Sequence, residues 1–135
     1  MRPEARQLSP FANFVGAVLD DTGEGYAHLS LTLDEKHMNP NGVVHGGVLT
    51  TLMDEACAHA VHAAGALKDG ATHASVDMSV SFLSGARAGD RLLFEGRTLR
   101  VGRSVAFTEA EVTRNGETLI AKGHFTFVIQ AKRSG

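Results

Sequence analysis

An α+β fold, with a curved antiparallel sheet wrapped around one long central helix, is predicted from three features of the sequence. One stretch, from about Gly46 to Ala64, carries apolar residues at helical spacing. The runs before and after it alternate apolar with polar residues and are joined by turn-forming segments. The helix is also rich in alanine on several sides, which lets a sheet approach closely.

Taken in order, the N-terminal arm "MRPEARQLSPFANF" is expected to fray over about residues 1–10. "FVGAVLD" and "YAHLSLTLD" then flank the turn-rich "DTGEG". In the second run Ala27, Leu29, Leu31 and Leu33 alternate with His28, Ser30 and Thr32, which predicts a strand hairpin. "EKHMNPNGVVHGG" is dense in turn formers. After it the period changes, and Leu49, Leu52, Met53, Ala56, Ala60 and Ala63 fall on one helical stripe ended by Gly65. From Ser75 to Ser84, Val76, Met78, Val80 and Phe82 alternate with Ser75, Asp77, Ser79 and Ser81, the pattern of a strand with one buried face. "DRLLFEGRTLRV" and "SVAFTEAEV" are separated by Gly102 and Arg103, and "TLIAKGHFTFVI" follows Asn115-Gly116, a pair that favours a two-residue type I′ turn. The last four strands are therefore expected to be antiparallel, with residues 131–135 a loose tail.

The 135 residues fit one domain spanning 1–135, and 43% hydrophobic with 21% charged residues is ordinary for a globular protein. So short a chain buries only about two-thirds of its unfolded surface, which favours self-association. A net charge of −2 and a pI of about 6.4 give no attraction to nucleic acid or anionic lipid. No run reaches the roughly 18 apolar residues of a membrane helix. The single cysteine, Cys57, has no internal disulfide partner, and the first residues lack a long apolar core with a cleavage site, so a cytoplasmic location is expected.

The chemistry concentrates in "NPNGVVHGGVLTTLMDEACAHAV". On a helical wheel Glu55 lines up with Thr51, His59 and His62, the face expected to meet solvent, whereas Asp54 lines up with Thr50, Cys57, Ala58 and Val61. A carboxylate among small apolar neighbours is costly to ionise unless something uses it, and Asp54 reads either as such a group or as a partly buried, locally bonded Asp. His45-Gly46-Gly47 falls where loop becomes helix. The first N–H groups of a helix lack intrahelical partners and sit in partial positive charge, so they suit a carbonyl becoming an oxyanion; an ordinary capped helix start is the alternative. His45 precedes Asp54 by nine residues, which at about 1.5 Å each separates them by roughly 13 Å along the helix. One chain cannot bring both to one carbonyl. If they share a site, Asp54 must face the helix start of a second subunit, as in a two-fold dimer with antiparallel helices.

"NPNGVVHGG" followed by "LMDEA", then "SVDMSVSFL" and Gly89-Asp90, resembles the hotdog-fold acyl-CoA thioesterases, particularly the phenylacetyl-CoA thioesterase-like branch. The resemblance runs from about Phe11 to Val128. It implies a hotdog-fold dimer, often doubled to a tetramer, that hydrolyses an acyl-CoA thioester with no cofactor, metal or prosthetic group. By the same resemblance the Gly46 N–H, helped by His45, polarises the thioester carbonyl, with Gly47 beside it in the substrate site. Asn39 orients the substrate or the attacking water. Asp54, from the partner chain, acts as general base or nucleophile, and Ser75 positions the water. Asp77, expected like Ser75 to point away from the Val76/Met78 face, either meets substrate or bonds to the loop before the helix. Arg100, Arg103 and Ser104 are candidates for the phosphates and pantetheine of CoA, with solvated surface arginines as the alternative.

Other constellations are weaker. His59 and His62 lie at i, i+3, but without HExxH or a cysteine cluster no metal is expected. Cys57, mid-helix among alanines, reads as a buried small side chain. A non-catalytic acyl-CoA-binding module would not need Asp54 and is expected to carry an attached regulatory domain, for which 135 residues leave no room. An enoyl-CoA hydratase would use an Asp and a His five apart, an interval met by Asp54 and His59.

Overall fold

The computed structural model describes residues 7–132. Its elements are α1 (Pro10–Val15), β1 (Val18–Gly23), β2 (Tyr26–Thr32), a 3-10 turn at Glu35–His37, α2 (Gly46–Ala63), β3 (Thr72–Phe82), β4 (Arg91–Val101), β5 (Val105–Arg114) and β6 (Thr118–Gln130). The strands form one sheet in the order β1-β2-β4-β5-β6-β3, every neighbour antiparallel. α2 touches all six strands and lies chiefly over β4, β2 and β5. This is the α+β hotdog arrangement expected from the sequence.

The helix forms where the apolar stripe lies. Leu49, Leu52, Met53, Ala56 and Ala60 are fully or almost fully buried, and all but Ala60 join Cys57 and Val61 in one core with Leu29, Phe94, Ala110, Phe125 and Phe127 from the sheet. Ala64 caps the helix and Gly65 follows at φ +76°, the left-handed geometry that stops it. The Asn115-Gly116 turn likewise has both residues at positive φ, 52° and 73°.

The start of the chain differs from expectation. Ser9 and Pro10 belong to no frayed arm: the Ser9 hydroxyl accepts from the Ala12 N–H at 3.1 Å, Pro10 fits the first turn, and a short helix runs to Val15. Phe14 and Val15, expected in the first strand, are therefore helical, and β1 begins only after Gly16 turns at φ +104°. Residues 1–6 of the expected arm, and 133–135 of the expected tail, lie outside the described residues.

β3 also differs. It is antiparallel as expected, yet it crosses the sheet to pair with β6 and becomes an edge strand. Val76, Met78 and Phe82, expected to line a buried face, are each more than half exposed, as is Leu83 just beyond. Alternation reports the two faces of a strand but not whether a neighbour covers either of them.

Sheet and helix meet most tightly at Gly96. A Cβ there would lie 2.5 Å from the carbonyl carbon and oxygen of Ala56 and 2.8 Å from the Cys57 nitrogen, all helix backbone. Gly96→Ala should therefore destabilise the fold by about 2–3 kcal/mol, the upper part of the range for overpacking. Urea unfolding at fixed protein concentration checks this, and an unchanged midpoint would contradict it.

Candidate active site

The loop before α2 is built to present its first turn. Met38 bridges to Val44, the Asn39 N–H bonds the Val43 carbonyl at 2.7 Å, and Gly42 turns at φ +77°. Asn39 Oδ1 accepts from the Asn41 and Val43 N–H groups at 2.9 and 3.2 Å, so the carbonyl half of this side chain holds the loop. Its amide nitrogen has no partner among the described residues and is the half able to reach a ligand.

The His45 N–H is anchored to the His37 carbonyl at 2.8 Å, and His45 Nδ1 accepts from the Gly47 N–H at 2.8 Å. The residue is thus a true N-cap, and its capping bond sorts out the His-Gly-Gly run. It occupies the Gly47 donor and leaves the Gly46 N–H without a partner among the described residues. Because Nδ1 is an acceptor, the neutral ring must carry its proton on Nε2, a second donor on the exposed side. Phe82 on β3 lies over Gly46, its ring 3.3 Å from where a Cβ would stand, so glycine keeps the approach to this donor narrow but open.

Further along α2, Asp54 Oδ1 is shut off from solvent with no hydrogen-bond partner among the described residues. Burial pushes the carboxyl pKa above the ordinary range; the Ser75 hydroxyl opposes this, Glu55 adds to it, and His73 opposes it. Ser75 reaches Asp54 because β3 is irregular. Ser75 pairs with Phe127 but Asp77 pairs with Thr126, the next residue of β6, so Val76 is the extra residue of a bulge. Ser75 therefore faces the helix with Met78, Val80 and Phe82, against the expectation that it points away from that face. Asp77 does point away, but it is exposed and bonds neither the loop nor any other described group.

Glu55 was expected on a solvated face and is instead largely buried. It accepts from the Ser9 N–H at 2.7 Å, from the Ser9 hydroxyl at 2.9 Å and meets His59 Nε2 at 3.2 Å, tying α1 to α2. Burial alone would raise its pKa, but the His59 and Ser9 bonds more than offset this and hold the carboxyl below its ordinary value. With His59 bonded to Glu55, the Asp54–His59 pair of a hydratase is not made. The Cys57 thiol is pushed up to about 12, chiefly by burial, which removes it as a nucleophile. Among the described residues no three His, Cys, Asp or Glu side chains are placed to hold a metal ion.

Ser75, Phe127, Ala106 and Val101 form one row across β3, β6, β5 and β4. Arg103 and Ser104 sit in the turn one step beyond that row, where the Ile129 N–H holds the Ser104 carbonyl at 2.8 Å. A register shift at Leu99 turns Arg100 to the outer face, opposite Phe107. The sequence missed the Ser9–Glu55 tie, although Ser-Pro before an apolar run is a helix-start signal that could have revealed it. Phe82 over Gly46 left no local signal.

Residues 41–121 match the thioesterase superfamily. Human acyl-coenzyme A thioesterase 13 is 30% identical over 118 residues, covering 86% of this chain and 82% of that protein. A putative esterase of Caenorhabditis elegans is 35% identical over 106 residues, which cover 78% of this chain and 61% of that protein. A Streptococcus mutans UA159 protein whose crystal structure holds acetyl CoA superposes with a TM-score of 0.80 at 25% identity, over 90% of this chain and 94% of that one. Fold and relatives together place the chain among thioester hydrolases of the acyl-CoA thioesterase kind. The chain belongs to the thioesterase superfamily.

The neighbours Asp54 and Glu55 should respond oppositely to substitution. Because the folded pKa of Asp54 is raised, its ionisation opposes folding at neutral pH, and the penalty disappears once pH falls below the unfolded value of about 3.9. Asp54→Asn should melt higher than wild type at pH 7, with the gain shrinking toward pH 4. The folded pKa of Glu55 is lowered, so it contributes stability above its unfolded value of about 4.3 that is lost as pH falls further. Glu55→Gln should melt lower at pH 7 and converge on wild type in acid. Thermal melts across this range check both signs.

Proposed function

We propose that the chain hydrolyses an aryl- or medium-chain acyl-CoA to the free acid and CoA, without metal or prosthetic group, at sites shared between the subunits of a dimer. One observation carries this reading. The free Gly46 N–H and Asp54, whose Oδ1 has no partner among the described residues, sit on one unbroken helix, about 12 Å apart along its axis, while β3 leaves an exposed apolar edge on the same side. In each chain Phe82 of β3 lies by Gly46 and Ser75 by Asp54. Antiparallel pairing of two β3 edges about a two-fold axis near Met78 and Ser79 would set Ser75 opposite Phe82 of the partner subunit. Asp54 would then meet Gly46 of the partner subunit twice per dimer.

In that site the Gly46 N–H and His45 Nε2–H hold the thioester oxygen as it gains charge, and Asn39 Nδ2 orients substrate or water. Asp54, in its ionised form, takes a proton from water positioned by Ser75 while the hydroxyl adds to the carbonyl carbon; the C–S bond then breaks and the proton passes to the departing sulfur. The alternative is direct attack by Asp54, giving a mixed anhydride that water opens. Arg103 and Ser104, one step beyond the Ser75 row, suit the phosphates and pantetheine; Arg100, on the outer face, suits only a nucleotide folded round the edge. The aryl or medium-chain preference rests on the likeness of "NPNGVVHGG" and "SVDMSVSFL" to the phenylacetyl-CoA thioesterase-like branch. Doubling of the dimer to a tetramer and a cytoplasmic location belong to the same reading; no described helix is long and apolar enough to cross a membrane.

Thiol release from a panel of CoA thioesters tests it. Asp54→Asn and Asp54→Ala should lower kcat at least ~10²-fold with KM largely kept, as for loss of a base or nucleophile. Full turnover in Asp54→Ala would sink the role, and tight acyl-CoA binding without turnover in the wild type would favour the binding-module reading. Gly46→Pro removes the N–H at a helix start where His45, at φ −67° and ψ 132°, already accepts a following proline, and should cost ~10²–10³-fold. Mixed dimers of Asp54→Asn and Gly46→Pro chains hold one intact site if it is shared, and none if each chain works alone. Recovery of roughly half the wild-type activity per mixed dimer is expected.

A further inference from the structure

We propose that His37 is a further positioning residue of the hydrolytic site, a buried imidazole that braces the loop carrying Asn39, His45 and the Gly46 N–H against α1. The inference rests on the hydrolytic role given to those three groups. His37 is only 4% exposed and ends the 3-10 turn just before Asn39. Its Nδ1 accepts from the Asp34 N–H at 3.0 Å, so the ring proton is on Nε2, and Nε2–H donates to the Val15 carbonyl at 2.7 Å. Val15 closes α1, and carbonyls of a last helical turn have no intrahelical donor; His37 supplies one. The main chain of the same residue faces the site. The His37 carbonyl accepts from the His45 N–H at 2.8 Å, Met38 bridges Val44, and the Asn39 N–H donates to the Val43 carbonyl at 2.7 Å. Residues 37–39 and 43–45 thus form a short antiparallel ladder. One rail carries Asn39, and the other ends in His45, the cap of α2.

The ladder is held from two sides. On one, the Val44 N–H donates to the Ala86 carbonyl at 2.8 Å, beyond the end of β3; on the other stands the His37 ring on Val15. The second support is firm because α1 is itself fixed to α2: the Ser9 N–H and hydroxyl donate to Glu55, the neighbour of Asp54, at 2.7 and 2.9 Å. Contacts therefore close a ring from Glu55 to Ser9, along α1 to Val15, through the imidazole to His37, across to His45 and Gly46, and back along α2. Without the imidazole the ring opens, and the ladder with its Asn39 amide and His45 cap is left with one lateral anchor. Both ring nitrogens are engaged inside the fold, so His37 acts through its neighbours and not on substrate. A displacement of about 1 Å in such donors can cost ~10²-fold in rate.

Asparagine and glutamine separate the two ends of the imidazole. The Gln amide reaches the place of Nε2–H and keeps a donor for the Val15 carbonyl, whereas the shorter Asn amide stops at the place of Nδ1 and loses it. Well below both melting midpoints, His37→Asn should lower kcat on a CoA thioester ~10-fold or more with KM within about three-fold, as for a lost transition-state interaction. His37→Gln should return kcat to within about three-fold of wild type. Wild-type kcat in His37→Asn, a loss confined to KM, or equal losses in the two variants would overturn the proposal. Nitrogen NMR of the wild-type imidazole decides the underlying bond even where His37→Asn does not fold: a proton on Nε2 with bare Nδ1 supports it, and the opposite tautomer overturns it. A wild type inactive on every acyl-CoA would refute the hydrolase reading alone. The backbone amide shifts of His45 and Gly46 would still test the brace, displaced in His37→Asn and restored in His37→Gln; shifts unmoved in His37→Asn would overturn it.

Discussion

The rigidity of α2 is the constraint on which the rest of the site depends. A rise of eight helical positions separates the unpaired Gly46 N–H from the Asp54 carboxylate with its unmet Oδ1, and a hydrogen-bonded helix packed on all six strands cannot bend to bring them together. Each end instead has its own local support. The Gly46 end is held by the His45 cap, the Asn39 turn and the Phe82 ring; at the Asp54 end the Ser75 hydroxyl favours the ionised carboxyl. The two sets are laid out along β3 in reverse order to the helix, so one exposed strand edge carries the complement of both. Such an edge invites a second copy, because its backbone groups and its apolar side chains are both unsatisfied on that side.

The bulge at Val76 shows how small a change in backbone assigns a role. A regular strand would send the Ser75 hydroxyl to the outer face with Asp77 and leave Asp54 facing apolar β3 side chains alone. One extra residue shifts the phase, so Ser75 and His73 both look inward while Asp77 still looks out. Asp54 gains a hydroxyl and an imidazole, neither of which cancels the cost of its burial. That residual cost is consistent with a group kept for chemistry: a carboxylate fully satisfied by the fold would be a weaker base and would have no lone pair free for water.

What was legible in the sequence was local. The limits of α2, the stop at Gly65 and the Asn115-Gly116 turn are set by residues within a few positions of one another, and helical periodicity gave the buried stripe from Leu49 to Ala60 nearly residue by residue. The same short-range rules put an unbonded N–H at the start of α2 and Asp54 among small apolar neighbours, and left open what either is for. The passage of β3 to the far edge, the phase slip at Val76 and the burial of Glu55 under Ser9 depend on residues tens of positions apart. An alternating pattern such as Ser75 to Ser84 reads the same on a covered strand and on an edge. The Thr51, Glu55, His59, His62 face looked solvated because its composition is polar; what ties down its Glu55 is the start of a short helix at Ser9, 46 residues upstream of that glutamate.

Asp54 and Glu55 make the division of labour concrete. Two adjacent carboxylates would repel if both sat in one environment, and the 100° step between consecutive helical positions separates them. Glu55 is given three partners and becomes a strut, ionised and satisfied, that locks α1 onto α2. Asp54 is given burial and an unmet oxygen. Fixing Glu55 as a permanent anion has a further effect, since its charge helps keep the neighbouring Asp54 pKa above the ordinary range. The N-terminal segment thus acts on Asp54 without touching it: Ser9 holds Glu55, Glu55 biases Asp54, and His73 on the opposite strand pulls the other way. A carboxyl set between two such neighbours is more tunable than one set by burial alone, because either neighbour can change without moving the helix that fixes its distance from Gly46.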